Sequence, residues 1–489
     1  MVTAKAKQND QALTPKQESK LIPHPQVPGT ACLVLGCAAA FAMYPQAANE
    51  SLEAMAQVAA EYVGLGFLGS LLFDLTKGLR NLLRTDVLCI LGIYALTLAE
   101  FLFPQEGFNI WALTPETFSV AINMTLLGIL VFSVSRHLVK PTRIKAKILN
   151  LEGLSPNAIV IVTIVCAFLG FLSMLISVDF RLFGDEPGSR GMFSYMQGAR
   201  FSQPWSRAGR LGGGLGTLLG ELALLQYVIP PLFGVAINRF KQFGIVRFGI
   251  MAAMFYAVMF GAFAGGTRNI FVAHISTFTM SYLVTVPKKS FMQNFIRMVL
   301  PTVFVFWLTG WASYHMLEFR TIGLRRYLED EVYKTESVRD TLAVDYNLAS
   351  MALIGEGMPK NYPFLGNDLV VWAVAKPIPR ALWKGKPEGL SVSMEEVAGV
   401  SGYTIAITYI GEAYMFAGWP GIVIFSAFFG ALSAWWNRMA ILTQSDYGLV
   451  VYALGFFAAG LTMRSCFWTT TAILPVIALV VFRKFGPFK

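Results

Sequence analysis

Charged residues are scarce in this chain. Only 14% of its 489 residues are Asp, Glu, Lys or Arg, whereas 55% are hydrophobic. Soluble domains contain about 25% charged residues on average. One soluble core could not hide this much apolar surface, so the composition excludes an ordinary soluble protein and predicts extensive contact with lipid.

Several signatures of metal and disulfide chemistry are also missing. The five cysteines lie in or beside apolar runs, with no CxxC pair and no alternation with histidine, which argues against a zinc site and a disulfide framework. No Asp-x-Asp motif occurs in the polar loops, and the adjacent carboxylates of Asp185 and Glu186 are typical of a solvated loop. We therefore predict metal-independent chemistry and no cofactor.

Two further function classes are disfavoured by what the sequence does not contain. The net charge of +10 comes from basic residues scattered among apolar segments, with no basic patch beside aromatic platforms, so nucleic-acid binding is not indicated. No internal repeat is visible, which disfavours transporter folds built from inverted repeats.

Long apolar runs dominate what is present. Crossing about 30 Å of hydrocarbon takes about 20 residues of helix, and twelve runs approach or exceed this length. They lie near 30–46, 54–75, 86–103, 117–135, 157–178, 216–237, 246–265, 269–287, 298–316, 403–437, 447–463 and 466–482. The sequence therefore predicts an all-α polytopic membrane bundle of about twelve transmembrane helices.

The distribution of Lys and Arg predicts the orientation of this bundle. Residues 1–28 read as a disordered cytoplasmic tail, and residues 29–489 as one transmembrane domain. The run 31–44 is also short enough for a signal-peptide core, but the long preceding tail favours a retained first helix. Basic loops then alternate so that both termini are cytoplasmic. Two extracytoplasmic loops result, at 179–215 and 317–402, the second of them partly helical.

Arginine is enriched on the predicted outer side. Twelve Arg and five Lys fall there, against nine Arg and thirteen Lys inside. Because the planar guanidinium binds phosphate and carboxylate through two hydrogen bonds, this excess indicates an anionic substrate. Some of these arginines can equally pair with loop carboxylates or lipid headgroups. Arg268 and Arg464 are harder to explain in that way, because each stands in a very short turn between apolar helices.

Three sequence segments resemble the O-antigen and exopolysaccharide repeat-unit polymerases (Wzy-type). They are FAGGTRN (263–269), IPRALWKGKPEG (378–389) and YIGEAYMFAGWPGIVI (409–424). The resemblance implies a GT-C-like glycosyltransferase in the bacterial cytoplasmic membrane, with undecaprenyl-diphosphate oligosaccharides as both donor and acceptor. It also implies working alongside a chain-length regulator and a flippase. The segment after Tyr414 reads MFAG where family members often have Asn before Phe-Gly, which departs from the pattern.

The resemblance and the arginine distribution together nominate the site residues. Their predicted roles are neutralising a leaving diphosphate, accepting the proton of the attacking sugar hydroxyl, and binding substrate. The catalytic candidates are Arg268, Arg380, Arg464, Glu412 and His315, and the substrate-binding candidates are Arg190, Arg200, Arg320, Lys384, Lys386 and Tyr414.

The proton acceptor has more than one candidate. Glu412 could take the proton, hold an arginine in place, or serve only as a helix-start carboxylate favoured by the helix dipole. His315 is the alternative base, although an isolated histidine there also suits an interfacial structural role. His274 ranks below both because it lies within an apolar helix.

Three rival functions fit the same composition. An O-antigen ligase would use the same donor with a lipid A core acceptor. A lipid-linked oligosaccharide flippase would need charged groups along a central path, whereas the helix interiors here are nearly free of Lys and Arg. The third rival is a non-enzymatic scaffold.

Overall fold

The computed structural model describes most of the apolar chain. Described residues are 24–103, 105, 111–139, 151–183, 191–198, 222–287, 291–329, 346–378, 383, 385–387, 390–400, 405–443 and 445–485. Within them every regular element is a helix and no strand occurs, which confirms the predicted all-α class.

Nineteen α-helices are labelled here in chain order across the described residues. The first ten are α1 (Val27–Met43), α2 (Leu52–Leu75), α3 (Thr85–Thr97), α4 (Pro115–Ser135), α5 (Pro156–Ser177), α6 (Met192–Met196), α7 (Ile229–Asn238), α8 (Phe240–Ala264), α9 (Arg268–Thr285) and α10 (Phe291–Phe319). The others are α11 (Leu324–Glu329), α12 (Asn347–Gly357), α13 (Asn367–Ala375), α14 (Met394–Val397), α15 (Thr408–Ala417), α16 (Trp419–Leu442), α17 (Asp446–Arg464), α18 (Thr469–Ala472) and α19 (Leu474–Phe485).

The predicted apolar runs coincide with these helices. Among the described residues, nine helical segments are long and apolar enough to cross a membrane, so a multi-pass membrane protein is supported. Three other predicted runs correspond to helices outside that set: Thr85–Thr97, Ala223–Asn238 and Arg268–Thr285. The predicted number of twelve crossings is therefore not confirmed.

Local sequence explains where several helices begin. Ser51, Ser155 and Ser445 each cap a helix by accepting a hydrogen bond from a backbone N–H three residues ahead. Pro156 occupies the first turn of α5, where its missing N–H costs nothing. These residues explain why α2, α5 and α17 begin where they do.

The first two helices pack closely because glycines face each other. A Cβ on Gly36 would lie 2.7 Å from the Tyr62 carbonyl oxygen, and one on Gly66 would lie 2.7 Å from that of Cys32. Small residues that let helix backbones approach are typical of membrane bundles. The predicted run 54–75 thus forms the full helix α2, although Glu61 lies near its middle, and the Glu61 side chain is exposed.

The predicted run 403–437 divides into two helices. Gly418 has φ +66° and separates α15 from α16, which fold back on each other. The Tyr409 and Ser426 hydroxyls are 3.0 Å apart across this fold. Ile410 packs against Gly128 near the middle of α4. The chain therefore enters the bundle with α15 before α16 traverses it.

The segment 317–402, predicted to be partly helical, contains α11 to α14. The helical spacing of the apolar positions in 324–355 predicts a helix that lies on the membrane or on the bundle. Instead α12 packs inside the bundle against α4, and its Asn347 side chain donates a hydrogen bond to the Leu96 carbonyl at 2.8 Å. Residues 330–345 lie outside the described residues.

A buried ion network joins one end of the bundle. Arg84 contacts Asp74 at 2.6 Å and Asp86 at 3.0 Å, and Arg136 contacts the other oxygen of Asp86 at 3.0 Å. All four side chains are buried, so each charge depends on the others for neutralisation. We call the side of the molecule that contains them the network end.

Neutral side chains extend this network to further helices. Asn437 of α16 donates a hydrogen bond to Asp86 at 2.6 Å, and its amide oxygen accepts one from Tyr452 of α17 at 3.1 Å. Arg136 also donates to Thr30 of α1 at 2.7 Å. Six helices, α1 to α4, α16 and α17, are therefore held at one level.

The network corrects one use of the charge pattern. Arg84 and Arg136 both belong to the basic loops that the sequence predicts on the cytoplasmic side. They are buried and paired, so they carry no weight as loop charges.

Removing the shared carboxylate should destabilise the bundle. We expect Asp86→Asn to lower the free energy of unfolding by about 3–5 kcal/mol, because two buried guanidinium groups lose their common partner. Glu152→Gln is the matched control, since Glu152 also binds one arginine, Arg483, but is 86% exposed. It should cost less than about 1 kcal/mol. Denaturant titration in micelles measures both variants, and equal losses would contradict the role given to the network.

Candidate functional site

The turn that carries Arg268 packs against the backbone of Arg320. It joins α8 to α9, and its Gly266 has φ +61°, a conformation that favours glycine. A Cβ at Gly266 would lie 3.1 Å from the Arg320 Cα. Gly266 is therefore favoured for two reasons: its positive φ and the close approach of the Arg320 backbone. The turn brings two predicted site arginines, Arg268 and Arg320, close together.

Arg464 lies at the same level as Arg268. Helix α9 begins at Arg268 and packs against α17, which ends at Arg464. The Tyr227 ring contacts His274, six residues into α9, and Phe457, seven residues before the end of α17, with ring centroids 4.6 and 5.8 Å apart. At 1.5 Å per residue, both arginines stand about 10 Å beyond this shared level.

Arg268, Arg320 and Arg464 thus lie at the ends of α9, α10 and α17. We call this side the arginine end. Tyr452 of the network precedes Arg464 by about 18 Å along α17, so the two ends lie on opposite sides of the bundle. All three arginines are partly buried. The first turn of α9 adds its own positive dipole end beside Arg268, which favours an anion there.

Glu412 holds the turn that follows Arg464. Its side chain is buried, and it accepts hydrogen bonds from the Ser465 hydroxyl and the Cys466 backbone N–H, both at 2.5 Å. Of the roles predicted for Glu412, this geometry matches that of positioning an arginine.

His315 forms a different arrangement near the end of α10. Its Nδ1 lies 3.0 Å from the Glu318 carboxylate, and its side chain is 32% exposed. Because an ionised carboxylate only accepts, Nδ1 carries the proton and Nε2 is left as the basic nitrogen. A base oriented by a carboxylate in this way is a familiar element of acid–base catalysis.

Tyr327 completes this group from α11. Its hydroxyl donates a hydrogen bond to Glu318, and that bond, followed by burial, raises the pKa of Tyr327 to about 12. The phenol therefore remains a donor and steadies the carboxylate. Sequence reasoning missed both Glu318 and Tyr327. The available signal was the His-x-x-Glu spacing, which places the two side chains on one face of a helix.

Lys386 and Tyr414 have structural partners. The Lys386 ammonium donates to the carbonyl oxygens of Lys376 and Ile378, at 2.8 and 2.9 Å, and so closes the carboxyl end of α13. The Tyr414 hydroxyl donates to the Met358 carbonyl at 3.3 Å, and its ring is buried. Neither contact involves the arginine end.

His274 is enclosed by the bundle. Its Nδ1 donates to the Ile270 carbonyl at 2.7 Å within the same helix, and its side chain is buried. This placement agrees with the low rank that the sequence assigns to it.

Four predicted site residues lie outside the described residues: Arg190, Arg200, Arg380 and Lys384. The structure therefore places the Arg268 turn against Arg320, puts Arg464 at the same level on a helix that packs against α9, and joins Glu412 to the turn after Arg464. Within the described part of the chain, no three His, Cys, Asp or Glu side chains are close enough together to hold a metal ion.

A wide apolar groove lies between α8, α9 and α10. Its cavity volume is about 560 Å³, and its lining includes Met259, Phe263, Phe271, Phe304 and Trp311. Phe304 and Trp311 are also strongly exposed, so the groove opens towards surrounding lipid. We call it the lateral groove. Phe271 lies three residues beyond Arg268, so the groove begins close to the arginine end.

Comparison with known proteins gives no direct assignment. No family model, no curated protein and no solved structure matches this chain. Its function is therefore argued from the residues and geometry described above.

Proposed function

We propose that this protein is a membrane-embedded glycosyltransferase that joins undecaprenyl-diphosphate-linked oligosaccharide repeat units into a longer polysaccharide. The observation that carries the proposal is the approach of the Arg268 turn to Arg320 beside a groove open to lipid, with Arg464 at the same end of the bundle. A lipid diphosphate fits both features, because its anionic head can bind the arginines and its apolar chain can occupy the groove. The three segments that resemble repeat-unit polymerases supply the sugar chemistry.

The reaction is a displacement at an anomeric carbon. A hydroxyl at the non-reducing end of one lipid-linked glycan attacks the reducing-end sugar of another, and the bond from that carbon to the diphosphate breaks. Negative charge collects on the departing lipid diphosphate. Preorganised arginine forks stabilise this charge as it develops, which lowers the barrier.

The attacking hydroxyl must lose its proton. His315 is the base in this proposal, because it is exposed and oriented through Nδ1 by Glu318. Glu412 is a positioning residue, since its hydrogen bonds to Ser465 and Cys466 fix the turn beside Arg464.

The proposal includes a location and a topology. On this account the chain crosses the bacterial cytoplasmic membrane twelve times in a GT-C-like arrangement, with both termini in the cytoplasm and the arginine end outside. It would act beside a flippase and a chain-length regulator. The agreement of all twelve apolar runs with helical segments supports this count.

Purified protein given a short lipid-linked oligosaccharide in vesicles should produce a ladder of products. Arg268→Lys should slow ladder formation about 10²–10³-fold, because an ammonium group cannot make the bidentate hydrogen bonds of a guanidinium group. Arg325→Lys is the matched control: Arg325 is 66% exposed, pairs with Glu329 and lies outside the group of three. It should keep the wild-type rate.

The same assay separates the rival functions. Transbilayer movement of substrate without bond formation would identify a flippase. Transfer of a single glycan to a lipid A core, without a ladder, would identify a ligase. Either result, or an Arg268→Lys variant with full activity, would overturn the proposed polymerase site.

Two glutamine variants distinguish the proton acceptor from the positioning carboxylate. His315→Gln should lower the rate of ladder formation about 10²–10⁴-fold, the usual contribution of a general base. Glu412→Gln should stay within about tenfold of wild type, because its amide still bonds the 465–466 turn. Initial rates at saturating donor measure both. The reverse order would make Glu412 the base.

A further inference from the structure

Helix α10 stands apart from the bundle. Only 11% of the residues in its apolar stretch are buried. The share is 22% for α8 and higher for the other seven candidate spans among the described residues. It contacts α9 along one side and α8 sparingly. The space left between these three helices is the lateral groove.

The lateral groove runs along the axis of α9. On α9 it extends from Phe271 to Tyr282, eleven residues, or about 16 Å. One leaflet of a bilayer contributes about 15 Å of hydrocarbon. The groove therefore has the length of one leaflet, and aromatic side chains form most of its wall.

The end of the groove near Phe271 leads to Arg268 and Arg320. Phe271 is about 5 Å along α9 from Arg268, and Trp311 precedes Arg320 by nine residues on α10. A molecule with an anionic head at Arg268 and Arg320 would direct its apolar chain into the groove. This charge complementarity, together with the short distance from Phe271 to Arg268, favours an anionic lipid whose head lies at the arginine end.

We infer that the lateral groove binds the polyisoprenyl chain of the donor, with the diphosphate at the arginine end. This inference rests on the proposed function and adds the binding site of the chain itself. Burial in a fixed, aromatic-lined groove selects the lipid carrier and holds its diphosphate at a set depth. The groove thereby aligns the leaving group with the arginines before the bond breaks.

A second apolar cavity is much smaller than the lateral groove. It lies among α3, α16, α17, α18 and α19, has a volume of about 160 Å³, and extends from Thr85, next to the network residue Asp86, to Met463, next to Arg464. Its smaller volume makes the lateral groove the better site for a long chain.

Two tryptophan substitutions on α10 test the inference. Val305 lines the groove, whereas Val303, two residues away, is 59% exposed and does not. Val305→Trp should raise the KM for a long-chain donor about tenfold, the effect of losing about two buried methylene groups. The KM for a donor with the same glycan and a short isoprenoid chain should not change, and Val303→Trp should leave both values as in wild type.

Photolabelling tests binding without any variant. A polyprenyl diphosphate with a diazirine on its chain should label peptides of α8, α9 and α10, and unlabelled polyprenyl diphosphate should compete. Phosphatidic acid with a diazirine on an acyl chain is the comparison probe. Equal labelling and equal competition by phosphatidic acid would show a general lipid crevice and overturn the inference.

The outcomes separate this inference from the proposed function. Specific labelling of the groove without any ladder would refute the polymerase and leave the groove as a polyprenyl site. A ladder with specific labelling elsewhere, or with an unchanged KM in folded Val305→Trp, would refute the groove and leave the polymerase standing.

Discussion

A charge inside a membrane protein must be neutralised by its neighbours or face water, because lipid offers neither a counterion nor a hydrogen bond. That constraint applies to two groups of arginines among the described residues. Arg84 and Arg136 are buried around Asp86 and join six helices at the network end. Arg268, Arg320 and Arg464 gather at the opposite end, partly buried and beside the lateral groove. The first group stabilises the bundle, and the second is the anion-binding group of the proposed function.

The arginine end is positioned by backbone features. Gly266 allows the Arg268 turn to approach Arg320, and Glu412 fixes the turn after Arg464 through two short hydrogen bonds. Donors held in this way need little reorganisation when a leaving group gains charge, which is the condition for strong electrostatic stabilisation. In the proposed site, a lipid chain bound in the lateral groove would also fix the distance between its diphosphate and these donors.

Much of the helical framework could be predicted from apolar runs, because about 20 such residues can satisfy their backbone in lipid only as a helix. Arg268 and Arg464 could also be nominated, since charge in a very short turn is conspicuous. The pairing of Arg84 with Asp74 and Asp86 could not, because a basic residue beside an apolar run looks the same whether it is solvated or buried. The division at Gly418 and the partnership of His315 with Glu318 and Tyr327 depend on tertiary packing, which hydropathy does not report.

The account depends most directly on the arginine end facing the outside of the cell. A cysteine at Asn269, the exposed residue after Arg268, can be probed in intact cells with a membrane-impermeant maleimide. The protein without this substitution measures background, since four of its five cysteines are buried. We expect Asn269→Cys to react from outside before permeabilisation. Reaction only after the cells are opened would place the arginines in the cytoplasm and contradict the proposed site.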